Sequence, residues 1–109
     1  MIKSLKPVSQ TLTEKQIEQR LCRKVNSIGG IAFKFNTPGR RAAPDRLCIL
    51  PQGLCMFVEC KRPDKKPTKA QTAELEMLRR LGHAATFVST YKEVDQLIEQ
   101  ILKILRSTP

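Results

Sequence analysis

The 109-residue sequence has no tryptophan, one tyrosine and one histidine, and no apolar run approaches the roughly 20 residues that a membrane-spanning helix needs. Its first seven residues lack the apolar core of a signal peptide. The absence of both kinds of segment argues against a membrane protein and against secretion. We therefore expect a protein of the cytoplasm, and a chain this short has room for one domain.

Cysteine is too sparse and too scattered for a zinc centre. The four cysteines contain no close C-x-x-C pair, and His83 is the only histidine that could assist them. Three of the four, Cys48, Cys55 and Cys60, fall inside apolar strand patterns, where a reduced thiol behaves as a small hydrophobic side chain. We interpret them as core residues of a protein in a reducing compartment.

Positive charge is what the sequence has in excess. Twenty Lys and Arg residues face ten Asp and Glu residues, which gives a net charge of +10 and an isoelectric point near 9.9. Such an excess favours a polyanionic partner, and nucleic acid is favoured over a membrane because no basic amphipathic helix stands out. A basic domain without any nucleic-acid role remains the alternative on charge alone.

Helix and strand signals alternate along the chain after a loosely held arm at residues 1–12. Capping boxes begin helices at Thr13 and Thr68, and Thr90 begins a third helix. The second helix is predicted to carry its apolar stripe on Ala70, Ala73, Met77, Leu78 and Leu81. Four apolar segments are predicted strands, at residues 31–35, 45–50, 54–61 and 84–88.

The order αβββαβα, in a domain spanning residues 13–109, predicts an α/β fold. Both middle strands are apolar on both faces, so we expect helices to cover the sheet on each side.

The two middle strands form a predicted hairpin with acidic residues at its open end. Pairing the strands about Gln52 sets Asp45 opposite Glu59, with Lys61 two residues further on the same face. The Cβ atoms of such cross-strand partners lie roughly 5 Å apart. Two carboxylates at that separation repel each other and raise at least one pKa unless a cation lies between them.

A divalent metal suits this position better than Lys61 alone. Mg²⁺ prefers oxygen ligands and usually takes one or two carboxylates together with waters and a substrate phosphate. The ion would polarise a phosphodiester and lower the pKa of a bound water, while Lys61 would orient that water or stabilise the negative transition state. In the plainer interpretation, Glu59 and Lys61 form an ion pair at a strand end and Asp45 only ends a loop.

The same residues carry a resemblance to a known family. Pro44-Asp45 followed by Glu59-Cys60-Lys61 resembles the PD-(D/E)XK nuclease superfamily, whose core order is also αβββαβα. Across residues 13–90 the chain is similar to the VRR-NUC (virus-type replication-repair nuclease) domain in its stand-alone phage and bacterial form. Further matching positions are Gly29-Gly30, Lys34, Pro38-Gly39-Arg40-Arg41, Arg46-Leu47, Phe57-Val58, Arg62-Pro63 and Gln71. Ala43 is one departure, because relatives often carry Gly or Val there.

This resemblance implies a restriction-endonuclease-like fold with a mixed sheet and a Mg²⁺- or Mn²⁺-dependent endonuclease, in a bacterium or a phage-infected cell. Minimal members resemble Holliday-junction resolvases that act as homodimers, so the implied partners are branched DNA and a second copy of the chain. The implied metal ligands are Asp45, Glu59, the backbone carbonyl of Cys60 and Glu18 as the family's extra acid. The implied catalytic residues are Glu18, Asp45, Glu59, Lys61 and Gln71.

Two of these assignments have plainer alternatives. Glu18 shares a helix face with Leu21 and Val25, which brings it near the sheet, whereas a carboxylate at Glu14 is explained by the helix dipole. We therefore prefer Glu18 to Glu14 as the extra acid, although Glu18 could be a solvated helix residue. Gln71 could serve the capping box of Thr68 and nothing else.

Basic residues cluster in the loops that flank the predicted site. Their place beside a proposed metal favours contacts with phosphate groups over a merely solvated surface. The predicted nucleic-acid contacts are Lys34, Arg40, Arg41, Arg46, Arg62, Lys65, Lys66 and Lys69.

Rival functions remain open at this point. A monomer would favour a flap or nicking nuclease, because symmetric cuts in a four-way junction need a two-fold dimer. A non-catalytic nucleic-acid-binding module is the other rival, although such a protein has no need to hold two carboxylates against incoming phosphates. No dimer seam stands out, and the N-terminal arm and the apolar final helix are the candidate contributors.

Overall fold

A computed structural model describes residues 12–107 of the chain. In that range the elements follow the predicted order, αβββαβα. The helices are α1 (Glu14–Ser27), α2 (Lys69–Arg80) and α3 (Tyr91–Ser107), and the strands are β1 (Ile31–Lys34), β2 (Arg46–Ile49), β3 (Cys55–Cys60) and β4 (Ala84–Val88). The predicted α/β fold is confirmed. The arm predicted at residues 1–12 lies outside the described residues except for Leu12, which packs against the core.

Local sequence signals set the ends of these elements. Thr13 and Thr68 each accept a hydrogen bond from the backbone N–H of a glutamine three residues on, and each glutamine side chain caps the threonine N–H in return. At Gly30, an added Cβ would lie 2.7 Å from the carbonyl oxygen of Ile49, so only glycine lets the chain pass this close to β2. No helix within residues 12–107 is long and apolar enough to cross a membrane.

The four strands form one mixed sheet in the order β1-β2-β3-β4. β1 and β3 are both antiparallel to β2, and β4 is parallel to β3 because α2 crosses between them. Leu47 pairs with Phe57 and Ile49 with Cys55, which is the register predicted by pairing about Gln52. The open end of the hairpin therefore lies at the end of β3.

The buried core lies between one face of the sheet and helices α1 and α3. Strand side chains alternate, so Cys48, Val58 and Cys60 share this face and are buried. The helices contribute Ile17, Leu21, Val25, Val94, Leu97, Ile98 and Ile101. The prediction that strand cysteines are core residues is confirmed for Cys48 and Cys60, whereas Cys55 is half-buried, and all four cysteines are free.

Helix α2 packs on the opposite face, against β4. It buries Leu75 and half-buries Met77 and Leu78, whereas Ala70, Ala73 and Leu81 are exposed. The apolar stripe predicted for this helix was therefore wrong at three of its five residues. Arg79, on the same helix, donates a hydrogen bond from its Nε to the carbonyl oxygen of Ala85 on β4. This placement brings the amino end of α2 towards the end of β3.

The rest of that face forms a bare strip, which we define as Ile31, Phe33 and Ile49 on β1 and β2. These side chains are 53%, 52% and 42% exposed, respectively. The prediction that helices cover both faces of the sheet is therefore wrong for this half. The helix α2 is too far towards β4 to shield β1 and β2 as well.

Candidate active site

Asp45 lies at the open end of the hairpin, one residue before β2. Its Oδ2 accepts a hydrogen bond from the backbone N–H of Cys60 at 2.8 Å, which ties the beginning of β2 to the end of β3. Burial raises the pKa of the Asp45 carboxyl, and this hydrogen bond opposes the rise. Asp45 is thus fixed at the strand end where sequence reasoning expected it.

Glu59 is almost completely buried, with 2% of its surface exposed. Its Oε2 accepts a hydrogen bond from Nε2 of Gln71 at 3.0 Å and lies 3.5 Å from Nζ of Lys61. Its Oε1 is buried and has no hydrogen-bond partner among residues 12–107. Burial, followed by the charge of Asp45, raises the pKa of Glu59 to about 7. One oxygen of this acid is therefore available to a cation.

Lys61 follows β3 directly, and its backbone N–H donates to the carbonyl of Val88 at 2.9 Å. Its side chain is 15% exposed, and its positive charge opposes the rise in pKa that burial causes at Asp45 and at Glu59. The structure thus brings together the three residues that the hairpin register grouped. The plainer interpretation of a strand-end ion pair accounts for the Glu59–Lys61 contact but not for two neighbouring, partly desolvated acids.

The oxygen donors at this position suit a divalent ion. Mg²⁺ is held in proteins by one or two carboxylates, with waters and phosphate completing its shell. Oε1 of Glu59, which has no hydrogen-bond partner among residues 12–107, and the carboxylate of Asp45 are donors of this kind. No group of three or more Cys, His, Asp or Glu side chains in the described range could hold a metal ion. An ion here would therefore need solvent, substrate or a carbonyl such as that of Cys60.

Both acids on α1 lie in the electrostatic environment of the acid pair. The Oε2 of Glu18 accepts a hydrogen bond from Nε of Arg46 at 2.7 Å, although its charge still reaches Asp45. Burial and the charge of Asp45 raise the pKa of Glu14, and Glu14 in turn adds to the effect of burial at Glu59. Glu18, preferred from the sequence as the extra acid, is held by Arg46, whereas Glu14 is in no ion pair within residues 12–107, and the choice between the two acids stays a prediction.

The position of Arg46 in the sequence indicates that an acid on α1 must pair with it, and in the structure this acid is Glu18. Arg46 alternates onto the sheet face that α1 covers, and a cation under a helix needs an acidic partner. Its Nη1 also donates to the carbonyl of Ala32 at 3.0 Å, and both members of the Glu18–Arg46 pair are largely buried. The predicted phosphate contact of Arg46 is corrected accordingly, because its guanidinium is engaged inside the protein.

The other predicted phosphate contacts differ in their engagement. Arg40 makes a bidentate ion pair with Glu74 on α2. Arg62 pairs with Asp64 at 2.9 Å, while both side chains stay about half exposed. Five of the predicted phosphate contacts are exposed and take part in no ion pair within residues 12–107, namely Lys34, Arg41, Lys65, Lys66 and Lys69.

Gln71 makes the capping contact and also contacts a candidate metal ligand. Its Oε1 accepts a hydrogen bond from the backbone N–H of Thr68 at 2.9 Å and completes the capping box of α2. Its Nε2 donates to Glu59 at the same time. An amide held at one end by a helix cap can thus orient the carboxylate that it holds at the other end.

Known proteins resemble this chain in sequence and in fold. The chain is 53% identical over 72 residues to a protein described as putative nuclease p44 of Acyrthosiphon pisum secondary endosymbiont phage 1, a match covering 66% of this chain and 77% of that protein. A solved structure described as a VRR_NUC domain matches with TM-score 0.75 and 36% identity, over 81% of this chain and 97% of that one. A solved VRR_NUC domain protein shares the fold at TM-score 0.62 and 21% identity, over 86% and 91% of the two chains. No protein-family model matches the chain.

An aspartate before one hairpin strand and an acid-x-lysine triplet ending the next, on a mixed sheet with the order αβββαβα, define the PD-(D/E)XK class. Within that class the chain belongs to the VRR-NUC family, because it spans almost all of a VRR_NUC domain to which it is 36% identical. The family and the restriction-endonuclease-like fold expected from the sequence are both confirmed.

Proposed function

We propose that this chain is a metal-dependent endonuclease that hydrolyses phosphodiester bonds in DNA. The observation that carries the proposal is the Glu59 carboxylate, which is buried beside Asp45 and Lys61 and has one oxygen without a hydrogen-bond partner among residues 12–107. Such a carboxylate is costly to the fold unless a cation binds it, which supports a functional role. The relative described as a putative phage nuclease supports the same assignment.

The site residues divide the work of holding a metal and preparing the substrate. Mg²⁺ or Mn²⁺ would be held by Asp45, the free oxygen of Glu59 and the carbonyl of Cys60, and it would polarise the phosphodiester and lower the pKa of a bound water. The N–H of Cys60 fixes one oxygen of Asp45, and Gln71 fixes one oxygen of Glu59. Lys61, 3.5 Å from Glu59, orients the attacking water or balances negative charge as it develops on the phosphate.

The substrate in this proposal is a four-way DNA junction, and the active form is a homodimer. The net charge of +10 supports a polyanionic substrate. The bare strip supports self-association, because two strongly cationic copies can meet on this uncharged apolar surface without bringing positive charges face to face. Two active sites related by a two-fold axis suit a pair of symmetric cuts.

Cleavage of end-labelled four-way, flap and linear DNAs tests the proposal, each with Mg²⁺, with Mn²⁺ and with EDTA. We expect paired cuts in the four-way junction with either metal and no cleavage in EDTA. Substituting a residue that only orients a metal ligand typically costs about 10–100-fold in activity. Asp45→Asn and Glu59→Gln change the ligands themselves, so each should lower the cleavage rate by more than about 100-fold. The matched control Glu99→Gln removes an exposed acid from α3 and should cut at the wild-type rate.

The outcomes separate the rival functions. Cleavage that survives EDTA, or that survives in both Asp45→Asn and Glu59→Gln, contradicts a metal-dependent reaction at this site. Junction binding without cleavage by the wild type contradicts the nuclease and favours a non-catalytic binding module. Cutting of flaps or single nicks without a preference for four-way junctions contradicts the resolvase and favours a flap or nicking nuclease.

A further inference from the structure

Two open clefts flank the amino end of α1. The first cleft, of about 710 Å³, has charged walls formed by Glu14, Lys15, Glu18, Arg23, Lys34 and Arg46. The second cleft, of about 660 Å³, has charged walls formed by Glu14, Lys15, Lys61, Arg62, Lys65 and Lys66. The two clefts share Glu14 and Lys15, so they adjoin each other at the start of the helix.

The first cleft presents positive charge once its internal ion pair is taken into account. Glu18 and Arg46 neutralise each other at 2.7 Å. Lys15, Arg23 and Lys34 are exposed, and none of them belongs to an ion pair in the described part of the chain. These three cations are therefore free to bind an anion in the cleft.

The second cleft is also lined by free cations. Lys65 and Lys66 are exposed and lie outside every ion pair formed within residues 12–107. Arg62 pairs with Asp64, but an ion pair this exposed is weak, so a phosphate can compete for the guanidinium. Lys61 connects this cleft to the candidate active site.

The acid pair lies next to residues of both clefts. Arg46 lines the first cleft and follows Asp45 directly in the chain, and the backbone N–H of Phe35, the residue after Lys34, donates to the carbonyl of Asp45 at 2.8 Å. Lys61 lines the second cleft and lies 3.5 Å from Glu59. Free cations on both sides of an acidic centre suit a polyanion that extends through it rather than a single phosphate group.

We infer that the DNA strand to be cut crosses the amino end of α1, with its phosphates on one side of the scissile bond in the first cleft and those on the other side in the second cleft. The free cations of each cleft bind the backbone there. This inference rests on the proposed function, which puts the scissile phosphate beside Asp45. It adds Lys15 and Arg23 as backbone contacts, which the basic loops of the sequence did not indicate because both residues lie on a helix.

The salt dependence of DNA binding in EDTA, where a metal-dependent enzyme does not cut, tests the assignment of the clefts. Arg23→Gln/Lys34→Gln removes two cations from the first cleft, and Lys65→Gln/Lys66→Gln removes two from the second. Since each phosphate contact contributes about 0.7–0.9 to the slope of log K against log salt concentration, each pair of substitutions should reduce that slope by about 1.5.

A matched control separates a local contact from the loss of net charge. Lys103→Gln/Arg106→Gln removes the same two charges from exposed positions near the end of α3. That end lies beside the hairpin turn, since Gln52 donates to the carbonyl of Leu105 at 3.2 Å, and so away from Asp45. The control should keep the wild-type slope. An equal reduction in the control and the cleft variants overturns the inference, because binding then follows net charge alone.

Neutral phosphates test the path of the strand. With Asp45→Asn to bind without cutting, a methylphosphonate is placed on either side of the bond that the wild type cleaves. With the first-cleft substitutions, binding should no longer depend on the charge of the phosphate on one side of the cleaved bond. With the second-cleft substitutions, it should no longer depend on the charge of the phosphate on the other side. If both sets of substitutions remove the dependence on the same side, the inference is overturned.

Failure of this inference is distinguishable from failure of the proposed function. If the wild type cuts DNA but the cleft variants bind with the wild-type salt slope, the nuclease stands and the clefts are overturned as the path of the strand. If the wild type cuts nothing while the cleft variants, and not the control, lower the slope, the nuclease is contradicted and the clefts are supported as a nucleic-acid-binding surface.

Discussion

Glu59 lies near the end of β3 on the sheet face that α2 covers, and only 2% of its surface is exposed. A carboxylate loses its hydration in such a place, so burial and the charge of Asp45 raise its pKa to about 7. The ordinary value for this group is 4.5. Glu59 therefore changes its charge near neutral pH, which gives the residue a measurable signature in the metal-free protein.

We predict that the metal-free protein loses stability through Glu59 as the pH rises from 4.5 to about 7. The folded state there keeps a proton that the unfolded state has released, so the contribution is complete below the lower value and is lost above the upper one. The loss is at most about 3 kcal/mol of unfolding free energy. Urea unfolding in EDTA near pH 5 and near pH 8 measures it. Glu59→Gln should remove most of this difference, and an unchanged difference in Glu59→Gln would contradict the prediction.

Glu14 and Glu18 give a second prediction at the scale of single residues. Glu14→Gln should lower DNA cleavage by about 10–100-fold with little loss of stability, because Glu14 shares the charges of the acid pair. Glu18→Gln should lower the unfolding free energy by about 1–3 kcal/mol, because it leaves a largely buried Arg46 without its ion-pair partner. Thermal melting and the cleavage rate of the folded fraction measure the two effects. A fully folded but inactive Glu18→Gln, beside an active Glu14→Gln, would restore the assignment preferred from the sequence.

The choice between these two acids shows where sequence reasoning ends at this scale. Asp45, Glu59 and Lys61 could be grouped from the sequence because strand alternation and hairpin register are local rules. Glu14 and Glu18 are one helical turn apart on the same face, and the charges of both act on Asp45. Only the position of α1 over the sheet decides that Glu18 is the one held by Arg46. That position depends on packing across the core, which no local pattern specifies.

At the scale of elements, α2 connects a helix cap to the candidate site. Thr68 and Gln71 form the capping box, and Gln71 continues to Glu59. One turn further on, Glu74 binds Arg40 and so attaches the loop between β1 and β2 to the same helix. The amino end of α2 is therefore held from two directions beside the acid pair.

Thr68→Ala and Gln71→Ala separate capping from positioning. Each should destabilise the protein by about 1 kcal/mol, the usual cost of losing a helix cap. Only Gln71→Ala also frees Oε2 of Glu59, so only this variant should lower the cleavage rate, by about 10–100-fold. Chemical unfolding and cleavage at saturating DNA measure the two effects. Equal loss of cleavage in both variants would show that capping alone explains the role of Gln71.

The elements themselves were largely predictable because their signals are short-range. Both capping boxes and the Gln52-centred hairpin are present as expected. The apolar stripe of α2 was not, because alanines carry too little apolar surface to define a face, and Leu75 became the buried residue although charged neighbours surround it. The face that α2 buries follows from its contact with β4, which the sequence pattern does not contain.

At the scale of the whole molecule, an uncharged strip and a strong positive charge occur together. The final helix, one of the seams considered from the sequence, uses Val94, Leu97 and Ile98 in the core of its own chain. The bare strip instead leaves half of one sheet face exposed. Two copies that each carry a net charge of +10 repel each other, so the proposed dimer has to form through a surface without cations.

We predict that the wild type has a solution mass of twice 12.4 kDa by light scattering at tens of micromolar, and that Phe33→Asp has the monomer mass. A buried carboxylate at the centre of an apolar contact has no partner, which opposes association. The matched control Ile104→Asp changes an exposed apolar residue on α3, on the core side of the sheet, and should stay dimeric.

Salt gives this dimer a signature opposite to that of DNA binding. Because the contact is apolar and the copies are alike in charge, screening should strengthen the dimer as the salt concentration rises, whereas the same change weakens binding to DNA. In a four-way junction, the Phe33→Asp variant should nick one strand at a time and should not make the paired, symmetric cuts expected of a dimer. A wild type that is monomeric at every salt concentration, or a Phe33→Asp that remains dimeric, would contradict the bare strip as the contact between two copies.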